Sequence, residues 1–309
     1  MTISFVGAGA LANGLARLLR AQGYTIAEII AREGRQSKAR AAALARVVGA
    51  AAAMPATAKL ECDVLWLAVP DAAIETVAGE LARRLELRAG VLQRLVQPQR
   101  LVQPQSLAQP RIVLHASGAL HSEALAPLAA RGVHTGSAHP MMTFVAGEPP
   151  SLKGAWFAVE GAPAAVRAAR AMAKKLGANS FAIEPGSKTL YHAFGAMLSP
   201  MLAAELEAAQ HVGMRAGIDA RKVRRIMEPI VLRTVRNVLR HGAGKSFSGP
   251  LARGDVSTVA AHLEALRAMP EGAVYRALME YATEALPVNR RAEMRRLLER
   301  QRGAAKIDM

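Results

Sequence analysis

Two ionisable side chains, Lys188 and His192, stand four residues apart in the chain. Residues i and i+4 are neighbours on a helix surface, so both are expected to point from one helix face toward a cleft. Side chains of these two types can deliver a proton to, or take one from, a reacting group held beside them. The pair is therefore a candidate for acid/base chemistry, with Lys188 or His192 as the proton shuttle at neutral pH. A Lys and a His on a solvated helix start is the alternative.

Ser117 and His139 are two more candidates, because each comes soon after a predicted strand. Ser117 follows the apolar run 111–115, which places it at the carboxyl edge of a parallel sheet, where its hydroxyl could bind a substrate oxygen. His139 is expected to head a loop stiffened by Pro140, with its imidazole lining the cleft. A strand-end cap for Ser117 and a buried, hydrogen-bonded imidazole for His139 stay open as alternatives.

A glycine turn separates the first predicted strand from the first predicted helix. Its residues are Gly7, Ala8, Gly9, Ala10, Leu11 and Ala12. The first glycine permits a tight turn, the second lets the backbone approach a pyrophosphate, and the small third residue lets the helix pack on the strand. Amides at the helix start and the positive end of its dipole would hold the anion. The turn therefore predicts a dinucleotide site.

Arg32, at the end of the second predicted strand, bears on which dinucleotide is bound. NAD sites usually carry Asp or Glu there, whereas this chain has Arg32 followed by Ser37. A cation and a hydroxyl suit a 2′-phosphate, so NADP is favoured, and Glu33 leaves NAD open. Ala68, Val69 and Pro70 end another strand, and their turn is expected near the nicotinamide ribose; a proline that merely stops the strand is the alternative.

Short apolar strands alternate with helical segments over the first part of the chain, which is typical of parallel pairing with right-handed crossovers. From Gly186 onward, long Ala/Leu/Met/Arg segments with helical periodicity predict an all-α region. We therefore expect an α/β, doubly wound Rossmann-type domain over 1–185 and an all-helical domain over 186–309. In the second domain, Asp255 is predicted to cap a helix that begins near Val256.

Composition limits the other functional classes. The 309 residues carry 40 Lys+Arg against 24 Asp+Glu, a net charge of +16, and a single cysteine. The arginines are scattered and aromatics make up only 4%, which disfavours nucleic-acid binding. Histidine spacing predicts no metal site. The lone cysteine, and the lack of a long apolar run or a signal peptide, favour a cytoplasmic protein without membrane attachment.

One feature fits none of these patterns: a hexapeptide duplicated from Arg94 to Gln105. Each copy contains a proline, which would break a helix or a central strand. An expanded surface loop is the favoured interpretation, and a peptide docking motif is the alternative.

Taken in order along the chain, seven short motifs resemble a bacterial family with a Rossmann-like N-terminal domain and a DUF2520 C-terminal domain. They are Gly7-Ala8-Gly9, Ala31-Arg32, Ala68-Val69-Pro70-Asp71, His115-Ala116-Ser117-Gly118-Ala119-Leu120, His139-Pro140-Met141-Met142-Thr143-Phe144, Lys188-Thr189-Leu190-Tyr191-His192-Ala193 and the segment 247–255. More distantly, the layout is similar to that of pyrroline-5-carboxylate reductase and the β-hydroxyacid dehydrogenases. In the latter an Asn follows the Lys by four residues; here His192 takes that place.

The resemblance implies an NADP-dependent oxidoreductase with a helical domain of the 6-phosphogluconate-dehydrogenase type. In such proteins the helical domain forms a homodimer and closes the active site. Hydride transfer between the nicotinamide and a small carbonyl or imine substrate is the expected reaction. A non-catalytic NADP-binding sensor or scaffold is the alternative.

Overall fold

The computed structural model describes residues 1–95, 110–145, 147 and 151–305, with side chains omitted for 88–95 and 301–305. The chain divides into two compact units, Met1–Ala196 and a second unit that begins at Met197. Each unit is described by itself.

The first unit is built on an eight-stranded sheet. Its strands are β1 (Thr2–Val6), β2 (Thr25–Ile30), β3 (Ala51–Ala53), β4 (Val64–Leu67), β5 (Ile112–His115), β6 (His134–Met141), β7 (Trp156–Gly161) and β8 (Asn179–Ala182). They lie in the order β3-β2-β1-β4-β5-β6-β7-β8. All neighbouring pairs are parallel except β6 and β7, which run antiparallel. The order reverses between β1 and β4, and ligands bind at such a switch point in open α/β sheets.

Helices cover both faces of this sheet. They are α1 (Ala10–Ala21), α2 (Arg35–Val48), α3 (Asp71–Leu95), α4 (Ala126–Ala129), α5 (Pro163–Lys175) and α6 (Lys188–Ala196). Alternate strand residues feed two separate cores: Phe5 and Trp66 pack with Leu15 of α1, whereas Leu65 packs with Ile74 of α3. Strands buried on both faces read as continuous apolar runs, which is why they could be found in the sequence. The predicted α/β, Rossmann-type fold followed by helices is confirmed, with one antiparallel pair added.

His139 and Pro140 lie inside β6, which corrects their expected place in a loop. The reason is the length of the neighbouring strand. β5 ends at His115, level with Ser137, so the last residues of β6 pair with β7 alone. Proline is tolerated in a strand where one side lacks a partner, because its missing N–H breaks no ladder hydrogen bond there.

The boundary between the two compact units lies after Ala196, further along the chain than the predicted domain boundary at residue 185, because α6 packs with the first unit. Lys188 at the start of α6 is bonded to Ser117 and Ser137 of that unit. The functional division assigned to residues 1–185 and 186–309 stays a prediction.

The described part of the second unit is helical. After a π-helical turn at Met197–Met201 come α7 (Leu202–Arg215), α8 (Ala220–His241), α9 (Ala243–Ser246), α10 (Pro250–Arg253), α11 (Val256–Ala265), α12 (Glu271–Ala285) and α13 (Arg291–Ala305). Leu251, Val259, Met279 and Met294 form its core. The Asp255 carboxylate accepts a hydrogen bond from the Thr258 amide at 3.1 Å, so the predicted cap of α11 is confirmed.

Among the described residues, no helix has the length and apolar character that crossing a membrane requires. The duplicated segment begins within α3, at Arg94, and its residues 96–105 lie outside the described residues.

Candidate active site

The turn between β1 and α1 has the geometry of an anion cradle. Gly7 has φ +102°, its amide donates to the Ile30 carbonyl at 2.9 Å, and a Cβ there would lie 2.3 Å from the Ala68 carbonyl oxygen. Gly9, with φ −74° and ψ −175°, precedes α1, and a Cβ on it would meet nothing within 4 Å. Within the described chain no side chain caps α1, and its first turn holds no acidic residue. Its first amides are therefore free for an anion.

The remaining residues of the turn, Ala8, Ala10, Leu11 and Ala12, also lie where the sequence places them. Ala12 is fully buried against the sheet, while Ala8 and Leu11 are partly buried at the edge of the same core. A larger side chain than alanine at position 12 would push α1 away from β1. The small residue thus keeps the helix start close to the strand end.

Arg32 lies at the mouth of a cavity of about 230 Å³ beyond the end of β2. The Arg32 amide donates to Ser37 Oγ at 2.9 Å, which brings the two predicted 2′-phosphate ligands together. The cavity is lined by Val6, Ile30, Arg32, Glu33, Pro55, Ala58, Leu60, Val77, Glu80, Leu81 and Arg84. Its lining is mainly apolar and includes two arginines and two glutamates.

Ala68, Val69 and Pro70 follow β4 and lead into α3. The Ala68 amide bonds to the Val6 carbonyl at 2.9 Å, and its own carbonyl faces Gly7, so this turn lies beside the glycine cradle. Asp71, the first residue of α3, is exposed, and its carboxylate accepts the Ser117 hydroxyl at 2.7 Å. The ends of β1, β4 and β5 thus meet at one edge of the sheet.

The Ser117 hydroxyl is fully used within the protein. It donates to Asp71 and accepts from the amides of Ala119 and Leu120 at 3.1 and 2.9 Å. A hydroxyl has one donor and two acceptor sites, so none is left for a substrate. The geometry favours the alternative in which Ser117 caps the turn after β5.

The Lys188 ammonium is buried and is bound by neighbouring groups of the protein. Its side chain is 1% exposed, and Nζ donates to the Ser117 carbonyl at 3.0 Å and to Ser137 Oγ. Glu160, itself buried, lies 3.7 Å away through Oε1 and binds the Ser122 amide and hydroxyl. His192 is exposed, so the expectation that both side chains of the pair point together into a cleft is corrected: Lys188 turns into the sheet edge instead.

His139 stands between two other rings. Its Nδ1 is 2.8 Å from the Tyr191 hydroxyl oxygen, and the ring centroids of His139 and His192 are 6.3 Å apart. Gly118 makes room for both imidazoles: a Cβ there would lie 2.9 Å from His192 Cδ2 and 3.0 Å from His139 Nε2. The structure therefore brings His139 and His192 together beside the backbone of the 115–120 loop.

Burial sets the protonation of this cluster. It lowers the pKa of His139 to about 4, helped by the Lys188 charge, so its imidazole is neutral at pH 7. Burial likewise lowers the pKa of Lys188 to about 8, against the opposing pull of Glu160, and raises the pKa of Tyr191 to about 12. His115, on the other side of Lys188, has a pKa lowered to about 3, first by burial.

Four residues of this cluster were absent from the predicted set: Asp71, Ser137, Glu160 and Tyr191. Asp71 and Tyr191 belong to two of the sequence motifs that carry the family resemblance. Their position in those motifs could have identified them as site residues. Ser137 and Glu160 are register partners across the antiparallel pair β6–β7, and hydropathy alone does not show strand direction. Among the described residues, no group of three or more His, Cys, Asp or Glu side chains is arranged to hold a metal ion.

Two family models match the chain. Residues 2–92 match the family described as NADP oxidoreductase coenzyme F420-dependent, and residues 155–282 match DUF2520, a domain of unknown function. The resemblance seen in the sequence is thereby confirmed for both parts of the chain. No curated protein matches it.

Solved structures with the same fold cover nearly the whole chain. Protein TM1727 from Thermotoga maritima is 21% identical with a TM-score of 0.63, covering 97% of this chain and 99% of its own. An imine reductase from Myxococcus stipitatus, solved in complex with NADP⁺, is 17% identical, with a TM-score of 0.58 and coverages of 96% and 100%. Pyrroline carboxylate reductase from Plasmodium falciparum, solved with NADP bound, is 10% identical, with a TM-score of 0.56 and coverages of 98% and 97%. At these identities the likeness shows the fold.

Proposed function

We propose that this protein is an NADP-dependent reductase that transfers a hydride from the nicotinamide to a small carbonyl or imine substrate. The observation that carries the proposal is the open cradle at Gly7 and Gly9, beside the cluster of Asp71, Ser117 and His139 at the same sheet edge. The N-terminal family match and the cofactors named for structures of the same fold support it.

The residues present fit a dinucleotide. The empty space over Gly9 and the uncapped amides of α1 would take the pyrophosphate. Arg32 and Ser37 would hold a 2′-phosphate, and the cavity next to them would take the adenine ring. Ala68, Val69 and Pro70 would border the nicotinamide ribose, since their turn lies against Gly7.

When bound, the nicotinamide supplies the hydride. The chain's own residues provide orientation and a proton. We assign His139 and His192 to the substrate side, because both imidazoles lie next to Gly118, where the loop carries no side chain. Lys188 and Ser117 are assigned to holding the 115–120 loop in place, because the Ser117 hydroxyl makes three hydrogen bonds within the protein and the buried Lys188 ammonium makes two and pairs with Glu160.

Oxidation of NADPH, followed by its absorbance, tests the proposal. The panel comprises glyoxylate, benzaldehyde and 2-methyl-1-pyrroline, an acid, an aldehyde and a cyclic imine. We expect turnover of at least one panel member, faster with NADPH than with NADH. The Arg32→Glu variant should lose turnover when NADPH is the cofactor and keep it when NADH is the cofactor. If neither NADPH nor NADH is oxidised with any of the three compounds, the protein is not the proposed reductase.

We also propose that the protein is a homodimer through its helical unit. α8 is 22 residues long and exposes large apolar side chains on two of its faces. Ile226 and Ile230, one turn apart, are 54% and 65% exposed, and Leu239 is 83% exposed. Large exposed apolar side chains of this kind mark protein interfaces, and a second copy of the chain offers the same apolar helix in return.

Light scattering coupled to size exclusion measures the assembly. The wild type is expected at twice the 32.7 kDa chain mass. Ile230→Glu should shift it to the monomer, whereas Arg236→Glu, an exposed polar position on the same helix, should leave the dimer intact. A monomeric wild type would contradict the proposal.

A further inference from the structure

We propose that His139 donates the proton to the reduced substrate through Nε2, and that Tyr191 resupplies it through Nδ1. The inference rests on the proposed reductase function and names the acid of that reaction. It differs from the sequence expectation, in which Lys188 or His192 is the proton shuttle.

The first support is the geometry of the imidazole. Tyr191 lies edge-on to His139, with ring centroids 5.4 Å apart at 88°, and its oxygen is 2.8 Å from Nδ1. The other nitrogen, Nε2, makes no hydrogen bond to any residue that the structure describes. A Cβ on Gly118 would lie 3.0 Å from Nε2, so the bare backbone of this glycine leaves Nε2 uncovered on that side. One nitrogen is therefore tethered and the other is available.

The second support is that the Lys188 ammonium, one of the two competing donors, is occupied within the protein. Nζ of Lys188 donates to the Ser117 carbonyl and to Ser137 Oγ and lies 3.7 Å from Glu160 Oε1, and the side chain is 1% exposed. Its amine cannot reach a substrate without breaking a buried ion pair, which is costly. The ionisable groups that act on His139 are Tyr191, Lys188, His192 and Asp71, and of these Tyr191 alone is hydrogen-bonded to its ring.

The proton movements balance. As the substrate carbon accepts the hydride, the π electron pair of its C=O or C=N bond moves to the heteroatom. The Nε2–H bond of His139 breaks and its proton forms the new O–H or N–H bond. Nδ1 takes the Tyr191 hydroxyl proton, so imidazole ends neutral with its proton on the other nitrogen. The negative charge comes to rest on the Tyr191 oxygen, which is half-buried and within reach of solvent for reprotonation.

A neutral imidazole is a weak acid by itself, and the phenol makes the transfer favourable. With a pKa of about 12, Tyr191 is protonated at neutral pH and still more acidic than an alcohol or an amine product. The order of acidities therefore runs from tyrosine through imidazole to product. Tyr191 also fixes the tautomer, because its donated proton requires a bare Nδ1 and hence an Nε2–H.

The first test needs no substrate. In protein labelled with ¹⁵N-histidine, the His139 signals are those missing from His139→Asn. At pH 7 we expect Nε2 to carry the proton and Nδ1 to be an acceptor in the wild type and in Tyr24→Phe, a control at another half-buried tyrosine of the same unit. In Tyr191→Phe the two tautomers should mix. A wild-type proton on Nδ1 would overturn the proposal, since Nε2 would then have none to give.

The second test uses turnover with whichever of glyoxylate, benzaldehyde and 2-methyl-1-pyrroline the wild type reduces. Tyr191→Phe should lower kcat about 100-fold, a usual size for loss of general acid catalysis, with KM and the NADPH Kd changed less than about twofold. The dependence of kcat on the deuterium fraction of the solvent should be curved in the wild type, for two moving protons, and linear in Tyr191→Phe. A merely structural tyrosine would not change that curvature.

The failures of the two proposals are distinguishable. If NADPH is oxidised and both His139→Asn and Tyr191→Phe keep wild-type kcat, the relay is wrong and the reductase stands. If NADPH does not bind, or binds without any turnover on the panel, the reductase assignment fails and the relay fails with it.

Discussion

Replacement of Lys188 by methionine gives the sharpest prediction about stability. Methionine matches the length of the lysine stem and removes the ammonium. It leaves the Glu160 carboxylate buried without its cation, and the Ser117 carbonyl and Ser137 hydroxyl each lose a donor. Glu160 keeps its bonds to Ser122.

The expected cost follows from that arrangement. Removing one partner of a buried ion pair costs about 3–5 kcal/mol, because the other charge stays desolvated. For a unit of this size, ~1 kcal/mol corresponds to ~2–4 °C in Tm, so we expect a decrease of roughly 6–20 °C. The double variant Lys188→Met/Glu160→Gln removes the stranded charge and should recover about 2 kcal/mol or more of that loss.

Urea unfolding followed by circular dichroism measures both variants against the wild type. Lys153→Met is the matched control, since Lys153 is exposed on a loop and should change the free energy of unfolding by less than about 0.5 kcal/mol. If Lys188→Met behaves like Lys153→Met, Lys188 is solvated and the assignment of its ammonium to the 115–120 loop is wrong. A double variant no more stable than Lys188→Met would likewise refute the charge argument.

Three further predictions concern the nucleotide cradle, the buried imidazoles and Gly118. Gly7→Ala forces a side chain into φ +102° and onto the Ala68 backbone, so it should cost about 2 kcal/mol or more in urea unfolding. Gly9→Ala should leave the free energy of unfolding unchanged and raise the NADPH Kd, measured by calorimetry, at least tenfold, because its methyl group enters the space proposed for the pyrophosphate. His115 and His139 take protons near pH 6.5 when unfolded but near 3 and 4 when folded, so the unfolded chain binds more protons between pH 6.5 and about 4. The urea midpoint should therefore fall as pH falls through that window, and less steeply in His139→Asn. Gly118→Ala should displace both neighbouring imidazoles and lower NADPH turnover at least tenfold with a Tm change under about 3 °C; wild-type turnover would show that the imidazoles are not needed.

Much of the fold could be predicted because its information is local. β1, β2 and β4 are short apolar runs ended by glycine, proline or polar residues, and their burial on both faces produces that pattern. The cap at Asp255 was likewise within reach, since an N-cap depends on three or four adjacent residues.

The parts that could not be predicted depend on residues distant in the chain. The burial of Lys188 follows from Glu160 and Ser137, which are brought together by an antiparallel strand pair that no hydropathy pattern reveals. His139 reads as a loop residue because of Pro140, and its strand is allowed only because β5 ends early. The sequence therefore predicts some of the residues near the proposed hydride acceptor. It does not predict which of them face the substrate and which hold the 115–120 loop in place.

The use of hydrogen-bonding sites explains that division. Ser117 and Lys188 have the residue types of catalytic groups, yet their donors and acceptors are satisfied inside the protein. Nδ1 of His139 is hydrogen-bonded to Tyr191, and Nε2 has no hydrogen-bond partner among the residues that the structure describes. Residue type identifies the candidate catalytic groups. The donor and acceptor sites that the protein itself leaves unoccupied then decide which candidates can act on a substrate.

Titration of NADPH into the protein by isothermal calorimetry shows whether the Gly7–Gly9 turn holds a dinucleotide. The account predicts saturable binding at one site per chain, with a Kd in the micromolar range that is lower than for NADH and is raised at least tenfold in Gly9→Ala. Absence of binding by either nucleotide, or binding that Gly9→Ala leaves unchanged, would contradict it.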